Sequence, residues 1–163
     1  MSLTLDQFNA GLEVDDYWPL LKTNQAAIKQ VFETVQPPAE AKAFFDGLAE
    51  PLRLAVFTED WCGDALTSSP SILKLATTTP GLQVKVFERD KHLDLTNSFL
   101  PPHRAGTLPV FVVFDRDMQE VARFIETAKE LQPLVGRMAD ELRARLLDPA
   151  EAEKPMNELT PES

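Results

Sequence analysis

The residues with the clearest chemical potential lie together in Phe57-Thr58-Glu59-Asp60-Trp61-Cys62-Gly63-Asp64-Ala65. Leu52 to Thr58 is a short apolar run and reads as a buried strand. Asp64 to Thr77 reads as a helix, with Leu66, Ile72, Leu73 and Ala76 apolar. Cys62 therefore stands between a strand end and a helix start. Free backbone N–H groups and the positive end of the helix dipole meet it there, and both favour thiolate over thiol. Trp61 offers a flat apolar surface to a partner, and Gly63 lets the backbone turn tightly into the helix. Glu59, Asp60 and Asp64 act in the opposite direction, because like charge disfavours a thiolate. Asp64 has a second use as a first-turn acceptor for helix N–H groups. From the residues alone two readings stay open: a reactive monothiol, or a scaffold that binds without chemistry.

The surrounding elements follow from periodicity. Thr4 and Gln7 have capping-box spacing, opening a short helix that Gly11 ends. From Tyr17 to Val35, Leu21, Ile28, Phe32 and Val35 share one helical face, with Pro19 in the first turn and Pro37-Pro38 as the stop. A further helix starts at Ala39, with Ala41, Phe44, Phe45 and Leu48 on one side. Leu82 to Glu88 alternates as a strand, with Leu82, Val84 and Val86 facing a core. His92 to Leu100 reads as helical, closed by Pro101-Pro102. Val110 to Asp115 reads as a central buried strand, and a turn at Asp115-Arg116-Asp117 leads into a strand over Glu120 to Ile125. Ala128 to Leu147 carries the stripe Leu131, Leu134, Val135, Met138, Leu142, Leu146. The expected organisation is an N-terminal helical extension over 1–50, an α/β domain over 51–148 and a disordered acidic tail over 149–163. A β-α-β crossover, a hairpin and a packing helix give a central four-stranded mixed sheet flanked by helices.

Composition narrows the function. The chain has 163 residues, 26 acidic against 16 basic, and a formal net charge of −10. Such a surface speaks against nucleic acid and against anionic lipid, both of which need clustered Lys and Arg. One cysteine excludes an intrachain disulfide and a Cys-rich zinc site. No metal and no cofactor is expected: ligand spacing is absent, and so are a phosphate-cradling glycine loop, a G-x-S-x-G elbow and an H-E-x-x-H pair. The acidic N-terminus does not read as a secretory signal, and no apolar run is long enough to span a bilayer. A free thiol without a signal points to the cytoplasm.

On these residues the chain resembles the thioredoxin-like superfamily. Trp61-Cys62-Gly63 reproduces the start of the family's Trp-Cys-Gly-Pro-Cys motif, and Pro70 falls where the active-site helix carries a proline. Leu108-Pro109 matches the cis-proline segment that faces the cysteine. The Glu-Asp-Trp-Cys-Gly-Asp-Ala string looks most like a single-cysteine bacterial branch with extra N-terminal helices. The resemblance implies Cys62 as the attacking thiol and Trp61, Gly63, Asp64, Leu108 and Pro109 as the surface that holds its substrate. The departures are specific. Ala65 replaces the second cysteine, Asp64 the intervening proline, and Val56 the buried aspartate that serves the second thiol.

The implied partner is a protein or low-molecular-weight thiol or disulfide, engaged by monothiol exchange. The alternative is a noncatalytic adaptor that uses the groove beside Trp61 and Pro109. His103 invites a Cys-His dyad against the plainer reading of a loop histidine, and His92 reads as a helix-start surface residue. Arg89, Lys91, His103 and Arg104 lie in loops that this topology turns toward Cys62. Oligomeric state is open from sequence.

Overall fold

The computed structural model describes residues 3–22, 24–59, 65–102, 109–125 and 134–147. Strand β1 (Leu52–Thr58) has six of its seven residues buried, which requires cover on both faces. β2 (Leu82–Glu88) pairs parallel with β1, through the crossover helix α5 (Ala65–Thr78). β3 (Val110–Phe114) runs antiparallel to β1 and is buried throughout, and β4 (Glu120–Ile125) pairs antiparallel with β3. The sheet order is β2-β1-β3-β4. The mixed four-stranded sheet is therefore the one that the sequence pattern predicts: β1 and β3 were legible as apolar runs, β2 by alternation and β4 as the second arm of a hairpin.

Period-two alternation divides the core in two. Leu52, Leu54, Val56, Phe111 and Val113 face one side, under α5 and α7 (Leu134–Leu147). Ala55, Phe57, Val110, Val112 and Phe114 face the other, under Leu3, Phe8, Phe99 and Leu100. β2 keeps its expected alternation, with Leu82 and Val86 on the first side and Phe87 buried on the second. Phe57 stacks on Phe87 with centroids 5.1 Å apart, and that ring contact accounts for the burial.

The N-terminal segment supplies cover to both sides. Helix α1 (Leu5–Asn9) opens with the capping box of Thr4 and Gln7 and buries Phe8. Leu12 then makes a two-bond antiparallel bridge to Val86 on the outer edge of β2. Helix α2 (Val14–Tyr17) buries Val14 and Tyr17. The continuous helix expected from Tyr17 to Val35 is not formed. A 3-10 turn spans Trp18–Leu20, Leu21 is extended, and Asn24 adopts φ 59°. Asparagine tolerates that left-handed conformation better than most residues. Helix α3 (Gln25–Thr34) begins after it and packs on α5, where Lys74 lies 5.0 Å from the Phe32 ring centroid. Helix α4 (Ala39–Asp46) buries Ala41 and Phe45, as its pattern predicts.

Helix α7 corrects a second expectation. Met138 and Leu142 are buried, but Leu146 is 45% exposed and Arg145 takes the inward position at 3%. The inward step after Leu142 is three residues, not four; both spacings share a helix face, and packing selects between them. The predicted start of this helix at Ala128, with Leu131, and the expected tail over 149–163 lie outside the described residues.

Candidate functional site

β1 ends at Thr58 and α5 is described from Ala65, so residues 59–64 lie between that strand and that helix in the chain. The predicted residues Trp61, Cys62, Gly63 and Asp64 are among these and lie outside the described residues, as does Leu108. Pro109 is described. It is buried and immediately precedes β3. The antiparallel register sets Phe57 opposite Val110, so Pro109 enters the sheet at the end from which the cysteine-bearing connection leaves. Ile125, at the end of β4, pairs with Val110 at the same edge.

Two neighbouring elements frame this end. Thr58 pairs with Glu88, the last residue of β2, and the 3-10 turn Arg89–Lys91 follows directly. Glu59 turns its carboxylate onto that turn: the Asp90 N–H donates to Glu59 Oε2 at 2.8 Å. Lys91 donates to Glu88 at 2.9 Å, and this bond, with Glu88's charge and a smaller contribution from Glu59, holds the ammonium above its ordinary pKa. Arg89 Nε lies 2.8 Å from Asp90. Arg89 and Lys91 are thus at the expected end of the sheet; His103 and Arg104 lie outside the described residues. His92 stands at the N-cap of helix α6 (Leu93–Asn97) in an exposed position, its ring perpendicular to that of Phe87 with centroids 5.3 Å apart.

The end of β1 is apolar and aromatic. Phe57 contacts Phe87 and Phe99 and is fully buried. Val56 is also fully buried, among aliphatic and aromatic side chains. A carboxylate there would lack solvation, so a valine suits a site with no second thiol to deprotonate. Among the described residues no cluster of three His, Cys, Asp or Glu side chains has metal-binding geometry. Among them, no helix is long and apolar enough to cross a membrane. Sequence reasoning missed the Glu59–Asp90 bond. It counted Glu59 only as a nearby negative charge, and no local signal links two residues 31 positions apart.

A β-α-β crossover, an antiparallel hairpin with a packing helix, and a proline entering β3 beside the end of β1 define a thioredoxin-like α/β domain. A family model described as thioredoxin matches residues 11–144, and the chain belongs to the thioredoxin family. Two solved structures share the fold. A protein of unknown function from Pseudomonas aeruginosa gives a TM-score of 0.67 at 18% identity, with 91% of this chain and 95% of that chain covered. An HIV epitope-scaffold gives 0.65 at 18% identity, with 77% and 78% covered. At such identities the likeness speaks for the fold alone. No curated protein matches the chain.

Proposed function

We propose that this protein is a single-cysteine thioredoxin-family protein that exchanges disulfides through Cys62. The thiolate attacks a disulfide of a protein or small thiol. One S–S bond forms to Cys62, the substrate's S–S bond breaks, and the departing thiolate takes a proton from solvent. A second, external thiol must attack the mixed disulfide to release Cys62, because the chain holds one cysteine. Trp61, Gly63, Asp64, Leu108 and Pro109 form the substrate surface in this reading. The reducing cytoplasm of a bacterial cell fits a chemistry that depends on an external thiol.

The observation that carries the reading is the pairing of Phe57 with Val110. It brings the strand end that leads toward the cysteine beside the proline that precedes β3. The Asp90 N–H holds the Glu59 carboxylate on the turn after β2, which fixes the chain at the end of β1 that leads toward the cysteine.

The test is the rate of thiol alkylation against pH, with mass spectrometry after incubation with glutathione disulfide. An apparent pKa well below the ~8.5 of a free thiol, and an adduct abolished by Cys62→Ser, are expected. A pKa at or above that value without an adduct refutes the exchange reading. Partners captured equally by wild type and Cys62→Ser under reducing conditions then favour a noncatalytic binding module.

A further inference from the structure

β2 is an outer strand, so one of its edges faces away from β1. Backbone N–H and C=O groups alternate sides along a strand. The Leu52 N–H donates to the Gly81 carbonyl at 2.9 Å, so residues 81, 83, 85 and 87 turn toward β1. Residues 82, 84 and 86 turn outward. Val86 shows that parity directly, since its N–H and C=O both bond Leu12 at 2.8 Å. The N-terminal segment continues along this edge for one more residue, where Glu13 pairs with Lys85. It then turns into α2 at Val14.

Val84 is the next outward position. It is partly exposed, and among the described residues its N–H and C=O have no hydrogen-bond partner. It opens onto a groove of about 500 Å³, also lined by Lys85, Glu13, Asp15 and Thr77. The Lys85 charge is met by Glu13, whereas Asp15 has no ion pair among the described residues. The groove is therefore acidic, on a chain of net charge −10. It lies four residues from Glu88, roughly 13 Å along the strand from the cysteine end.

We propose that this groove docks an extended peptide segment of a partner protein, added as a strand to β2 at Val84 and bearing lysine or arginine toward Asp15. An extended residue is required because Val84 presents a donor and an acceptor together, the arrangement that Leu12 satisfies at Val86. A basic side chain is required because the unneutralised Asp15 carboxylate lines the same groove. The inference is independent of any chemistry at Cys62.

The experiment titrates the 15N-labelled full chain with the acetylated, amidated hexapeptide Val-Lys-Val-Lys-Val-Lys and with its Val-Glu counterpart. The lysine peptide is expected to shift the amides of Val84, Lys85 and Asp15 and to slow hydrogen exchange at Val84. The glutamate peptide is expected to leave them unmoved. Val84→Pro removes the outward N–H at a place where an outer strand tolerates proline, and should weaken binding roughly threefold to tenfold, the worth of about one hydrogen bond. Asp15→Lys, at an exposed position, should remove the preference for lysine over glutamate without altering the fold. The proposal is overturned by equal binding of both peptides, by no binding at millimolar peptide, or by shifts confined to Thr58, Glu59 and Val110. A free protein that dimerises with the Val84 amide already protected also overturns it, since a second copy would then be the occupant.

Discussion

Arg145→Met is expected to stabilise the protein. Arg145 sits in the last turn of α7 at 3% exposure, one turn beyond the core residue Leu142. All three of its guanidinium nitrogens are buried, and among the described residues none has a hydrogen-bond partner. Glu141, one turn back, forms no ion pair with it among the described residues. A guanidinium does not shed its proton to escape burial, so the desolvation cost stands uncompensated. Methionine keeps the apolar stem that packs beside Leu142 and removes the charge. Replacing even a paired buried charge with apolar volume ranges from neutral to about 1–4 kcal/mol stabilising, and a gain of about 1–4 kcal/mol in a chain of this size raises Tm by roughly 2–16 °C. Thermal and urea melts of both proteins give the difference. It should stay flat across neutral and mildly acidic pH, because no carboxylate takes part. A loss of about 3–5 kcal/mol, the cost of breaking a paired buried charge, would refute the reasoning; it would mean that a carboxylate outside the described residues meets Arg145.

Three further outcomes are expected. In Gly81→Ala the new Cβ would lie 1.9 Å from the Phe45 carbonyl oxygen, so backbone must move; a loss of about 3 kcal/mol or more in urea melts is expected, and a loss below about 1 kcal/mol would contradict the close approach of α4. Asp46 accepts from Lys42 and from Thr79, both at 2.5 Å, and these bonds hold its carboxyl below the ordinary range, Lys42 contributing most. A depressed folded-state pKa contributes stability above the unfolded value that is lost on acidification, so the advantage of wild type over Asp46→Asn should fade as pH falls below about 4; an advantage unchanged through that window would contradict it. Thr4→Ala removes the hydroxyl that accepts from the Gln7 N–H at 3.1 Å and should cost about 1 kcal/mol in thermal melts, with faster hydrogen exchange at the start of α1.

Much of the architecture was legible because it rests on local periodicity. The runs at Leu52, Leu82, Val110 and Glu120 encode strands by composition and alternation, and Thr4 with Gln7 encodes a helix start by spacing. The strand-to-helix position of Cys62 follows from the same local signals. Errors arose where local signals were degenerate. Leu142 is followed on its helix face by both Arg145 and Leu146, and only contact with the core chose the arginine for the inside. Leu21 and Ile28 fit one helical face, yet the chain breaks between them at Asn24.

By itself, then, the sequence determined the element types, the order that makes a mixed sheet, and a lone cysteine at a helix start. The tertiary structure decided which residues meet. Pro109 reaches the end of β1 only through the register of Phe57 with Val110. Glu59 reaches Asp90 only because β1 and β2 end together, and Val84 is left open only because the chain leaves the sheet edge at Val14. Periodicity is set within a few neighbouring residues, whereas these contacts join distant ones and form only when the whole core packs.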